Sequence, residues 1–81
     1  MFYDRLYYLF NTKTRPVLLG EISLETVYPL RVCDEQMQNL QELGIVCKLT
    51  EKELIDMRFS VECNYWRILD LQGLQKLCTN M

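Results

Sequence analysis

The chain has 81 residues, 49% apolar and 25% charged, with nine Lys and Arg against eleven Asp and Glu. So high an apolar fraction at a net charge of only −2 excludes intrinsic disorder. A second domain of the usual ~50 residues or more does not fit, so one globular domain over residues 1–81 is expected.

The sequence contains no histidine. That removes Ser–His and Cys–His nucleophile pairs, the commonest neutral-pH general base and every imidazole zinc site. Gly20, Gly44 and Gly73 stand alone, so no Gly-rich phosphate loop is present. No secretory leader is expected, because Asp4 and Arg5 interrupt the first apolar stretch. The longest uncharged run, Leu6 to Thr12, falls far short of the ~18 residues that cross a membrane.

In chain order, residues 2–10 (FYDRLYYLF) read as a strand from their aromatic content, apolar on both faces. Residues 11–16 form a polar loop. Residues 17–24 read as a second strand, with Leu18, Ile22 and Leu24 on one face and Glu21 and Ser23 on the other. The two strands most simply pair as an antiparallel hairpin. Pro29 excludes a central strand over 27–32, although Leu30-Arg31-Val32 suits a short one. Asp34 is placed to cap a helix over 35–43, and Gly44 to end it. Ile45 to Leu49 follows as a short strand, which would make the stretch from Leu30 a β-α-β unit.

Thr50-Glu51-Lys52-Glu53 is a capping box, in which Thr50 and Glu53 satisfy each other's amides, with Leu49 and Leu54 spaced as a staple. It predicts a helix over 51–57. Residues 58–66 alternate, with Phe59, Val61, Cys63 and Tyr65 expected inward. Asp70 caps a last helix carrying Leu71, Leu74, Leu77 and Cys78. The expected fold is therefore α+β, a small antiparallel or mixed sheet of about four strands with two to three short helices, in the order β-β-α-β-α-β-α. A winged helix is the competing architecture, with Leu40 to Val46 as recognition helix and wing.

The cysteines at 33, 47, 63 and 78 make no C-x-x-C pair, so neither a thiolate zinc site nor any other metal or cofactor site is expected. They read as reduced, mostly buried thiols of a cytoplasmic protein. Cys78-Thr79-Asn80-Met81 formally matches a prenylation box, but Thr79 and Asn80 are not aliphatic. Glu51, Glu53, Asp56, Asp34 and Glu35 are placed as helix-start charges rather than as acid–base or Mg²⁺ ligands. No catalytic residue is singled out, and an enzyme is not expected.

What remains is surplus apolar surface. Val27, Tyr28, Leu30 and Trp66 add to the doubly apolar first segment. Small proteins rarely leave such surface uncovered, and Tyr and Trp are the usual binding anchors. The function expected is a non-enzymatic protein-binding module, a small regulator or inhibitor of a larger protein. Small chains of this kind are common in viruses and phages, an analogy of size and composition alone. Tyr3, Tyr7, Tyr8, Tyr28 and Trp66 are the expected anchors, and the partner is another protein or a second copy. The plainer reading makes these aromatics core. The alternative function is a nucleic-acid-binding regulator, with the Tyr3-Arg5-Tyr7 face stacking bases and Arg5, Lys13, Arg15 and Arg67 meeting phosphate. Acidity of the whole chain weighs against it.

Overall fold

The N-terminal aromatic segment is a helix and not a strand. α1 spans Phe2–Thr12 and buries Leu6, Leu9 and Phe10, with Phe2, Tyr3 and Tyr7 half-buried beside them. The apolar doublets at 2–3, 6–7 and 9–10 follow the helical repeat, and burying that stripe outweighs the strand preference of the aromatics. The structure is a computed structural model, described over residues 2–78.

The expected partner strand is also mostly helical, so there is no N-terminal hairpin. β1 is only Val17–Leu18, and the chain turns at once into α2, Leu19–Thr26. Glu21 drives that switch, since its Oε1 accepts from the Leu18 amide at 2.9 Å at the helix start. Ile22 and Thr26, four apart, are buried, whereas Leu24 points outward. α2 stops at Val27, whose φ of 64° is left-handed.

No strand forms at 30–32 either. α3 spans Leu30–Glu42 and starts behind Pro29, whose fixed φ suits that place. Asp34 therefore lies within the helix, where its Oδ2 accepts from Gln38 Nε2. Cys33, Met37 and Leu40 form the buried stripe. Gly44, at φ 77°, closes the helix as expected. Its amide donates to Gln41 O and that of Ile45 to Leu40 O, the paired bonds of a Schellman ending.

β2 is Val46–Lys48, and α4 is Glu51–Asp56. The capping box forms as read: Thr50 N donates to Glu53 Oε1 at 2.9 Å, and Glu53 N donates to Thr50 Oγ1 at 3.2 Å. The fourth strand, expected over 58–66, forms only from its last two residues onward. Residues 58–64 are turns and bends, and β3 is Tyr65–Ile68. Arg58 takes φ 61° and ends α4 in the way Gly44 ends α3. Asp70 caps α5, Leu71–Leu77, its Oδ1 accepting from Gly73 N.

Over the described residues the fold is thus α+β, with five helices and three antiparallel strands in the order β1-β3-β2. Val17 and Lys48 both sit opposite Trp66, from the two neighbouring strands. β2 and β3 are joined through α4 and not by a hairpin, so the strand after α3 is no wing. α1 packs on α2 and α5, α2 on α3, and α3 on β2. Trp66, Val17 and Val46 share one core cluster with Leu6, Ile22, Met37, Leu40 and Leu74. Among the described residues no helix is long and apolar enough to cross a membrane.

Candidate functional site

The five expected anchors separate. Trp66 is only 1% exposed and is the largest side chain of the core, so it has no surface to offer a partner. Its Nε1 has no hydrogen-bond partner among the described residues. Tyr3 and Tyr7 are half-buried against the core, and the Tyr3 hydroxyl donates to Gln36 Oε1 on α3 at 3.1 Å. Tyr8 is exposed, on the outer side of α1. Tyr28 is 38% exposed, and Phe2 meets it edge to face at 5.7 Å.

Tyr28 belongs to the most apolar exposed stretch of the described residues. At the corner joining α2 to α3, Leu24 is 84% exposed, Val27 85% and Leu30 53%. The corner is rigidly held: Ser23 Oγ donates to Tyr28 O at 2.6 Å, and Cys33 N to Pro29 O at 3.0 Å. Leu24 is the member that the strand reading concealed, because alternation placed it inward beside Ile22. A helical repeat turns it out instead.

The basic residues sort differently. A helix separates Arg5 from Tyr3 and Tyr7, so the expected Tyr-Arg-Tyr face does not exist. Arg5 instead approaches Glu25 at 3.7 Å. Lys13, Arg15 and Arg67 converge on one cleft, which Phe10, Pro16, Met57 and Ile68 floor with apolar surface. Its volume is about 390 Å³. Pairing of β1 with β3 brings the 13–16 loop beside Arg67, a convergence with no local signal in the sequence.

Each cleft arginine is held by a carboxylate already fixed in a helix cap. Arg15 binds Glu21 through both oxygens, Nη1–Oε1 at 3.0 Å and Nη2–Oε2 at 2.6 Å. The guanidinium hydrogen bond holds the Glu21 carboxyl below its usual range, with the Leu18 amide adding to the effect. Arg67 Nη1 lies 2.8 Å from Glu53 Oε2. The Thr50 amide, then Arg67, hold the Glu53 carboxyl down likewise. Lys13 is in no ion pair among the described residues.

Cys33 and Cys78 are buried, Cys47 and Cys63 half-buried, and all four are free. Burial, with Asp4 nearby, pushes the Cys78 thiol up, away from nucleophilic character. The rest of the expected prenylation box, residues 79–81, lies outside the described residues. Among the described residues no three His, Cys, Asp or Glu side chains come together to hold a metal ion. Comparison with known families, with curated proteins and with solved structures finds no match.

Proposed function

We propose that this chain is a non-enzymatic protein-binding module that regulates a larger protein by seating the α2–α3 corner on it. The observation carrying this reading is the exposure of Leu24, Val27, Tyr28 and Leu30 within seven residues. Burying such side chains fully yields about 1.5–3 kcal/mol each, enough for a small set of anchors to dominate an interface.

The backbone supports the same place. Val27 is β-branched and sits at φ 64°, where its Cβ crowds the chain at a cost of roughly 1–2 kcal/mol. An exposed valine gives the fold nothing in return for that strain. The left-handed turn ends α2, the Val27 amide donating to Ser23 O, but glycine would take that turn without strain, so a valine there fits a contact role for the side chain.

The charges weigh against the nucleic-acid alternative. Arg5, Arg15 and Arg67 each lie beside a glutamate, which leaves Lys13 alone of the four expected contacts outside an ion pair among the described residues, too little for the run of phosphates along a strand.

The test is a pull-down with the tagged chain from lysate of the encoding organism, with and without nuclease. One protein retained at near-stoichiometric amounts after nuclease, and lost with Leu24→Ser plus Val27→Ser, agrees with the reading. Retention that disappears with nuclease contradicts it.

A further inference from the structure

The cleft between the 13–16 loop, Met57 and the end of β3 lies apart from the α2–α3 corner and differs from it in chemistry. Its volume of about 390 Å³ falls in the range of small-molecule sites, about 300–1,000 Å³. Its floor is apolar, from Phe10, Pro16, Met57 and Ile68. Its polar groups are cationic, from Lys13, Arg15 and Arg67, with the Thr14 side of the loop at the rim.

We propose that this cleft binds a small organic phosphate, with an aromatic body on the apolar floor and the phosphate among Lys13, Arg15 and Arg67.

Three observations carry the assignment. First, the charges do not cancel: three cations line the cleft, and Glu21 and Glu53 hold two of them, which leaves one positive charge over. Second, the arginines are preorganised. Glu21 is fixed by the Leu18 amide and Glu53 by the Thr50 amide, so each guanidinium meets a carboxylate that is already held in place, Arg15 through both Nη atoms and Arg67 through one. Third, donors remain. A guanidinium offers five N–H groups; Arg15 spends its bonds on Pro16 O and Glu21, and Arg67 approaches Glu53 through Nη1 alone. Lys13 adds an ammonium with no ion pair among the described residues. Guanidinium forks and an ammonium suit the three terminal oxygens of a phosphate monoester better than the two of a carboxylate.

A nucleic-acid strand fits the arrangement less well. A strand is met along a groove by successive unpaired cations and stacking rings, and here three cations meet over one open cleft lined by aliphatic groups and a single aromatic ring.

The test is a titration of the whole ¹⁵N-labelled chain with phenyl phosphate, with phenol and inorganic phosphate as separate arms. The expected result is saturable shifts of the amides of residues 13–15, 57, 67 and 68, with phenyl phosphate binding at least tenfold tighter than either fragment. Lys13→Gln, at an exposed side chain outside the three ion pairs, weakens phenyl phosphate roughly tenfold and leaves phenol unchanged. Cleft amides that do not saturate, or equal binding by wild type and Lys13→Gln, would overturn the proposal. So would tighter binding of an oligothymidylate with a steep salt dependence, which would transfer the site to single strands.

Discussion

Glu21 grips Arg15 with both carboxylate oxygens while one of those oxygens, Oε1, also accepts the Leu18 amide. One side chain thus starts α2, ends β1 and fixes the 13–16 loop. Its carboxyl lies below the ordinary range, so it binds its proton more weakly folded than unfolded. The stability it contributes is complete above about pH 4.3 and is lost as the pH falls through the lower folded value. Glu21→Gln is therefore expected to lower the urea midpoint at neutral pH and to differ less from wild type at about pH 3. Urea titrations at the two pH values check this.

Val27 offers a change of opposite sign. Its left-handed φ of 64° suits glycine or asparagine. Val27→Gly is expected to stabilise the fold by roughly 0.5–1.5 kcal/mol in chemical denaturation, through relief of backbone strain. The same substitution removes an anchor of the corner, so partner affinity falls as stability rises.

Trp66 is the only tryptophan and the largest buried side chain. Trp66→Ala is expected to remove about 3–5 kcal/mol. A chain of this length holds about 4–12 kcal/mol in total, so the variant unfolds at a much lower urea concentration than wild type by circular dichroism. Native Trp66 fluorescence is expected to be blue-shifted and to resist acrylamide, since the side chain is 1% exposed.

Much of the local chemistry was legible in the sequence, and most of the pairing was not. Thr50, Glu53, Asp70 and Gly44 act over three or four residues, and their caps and stops form as read. In the N-terminal half aromatic and aliphatic content points to strands, whereas the spacing of the buried residues is helical. The doublets Leu6-Tyr7 and Leu9-Phe10 belong to a helical stripe, and Leu24 shows the same contrast in α2. Alternation over 58–66 proved misleading because Arg58 turns the chain at positive φ. Phe59 and Tyr65 then stack on each other at 4.3 Å, outside the core, and Trp66 takes the inward place. The basic cleft was invisible because residues 13–16 and 67 meet only through strand pairing.

The four thiols make a chemical test of the fold. Cys47 and Cys63 are half-buried, whereas Cys33 is fully buried and Cys78 nearly so, with its thiol pushed up by burial. Two thiols are expected to react promptly with iodoacetamide under native conditions and two only after unfolding. Mass mapping of the alkylated peptides checks which pair is fast.

The central claim is that the α2–α3 corner binds a protein partner, and the most direct measurement is affinity for the purified captured partner by titration calorimetry. Wild type is compared with Val27→Asp, with Tyr28→Ala and with Ile55→Asp, which alters a residue 60% exposed on α4. The account predicts that Val27→Asp and Tyr28→Ala each weaken binding tenfold or more, with thermal unfolding still cooperative, and that Ile55→Asp binds as wild type. Equal affinity for all four proteins, or loss with Ile55→Asp alone, would contradict it.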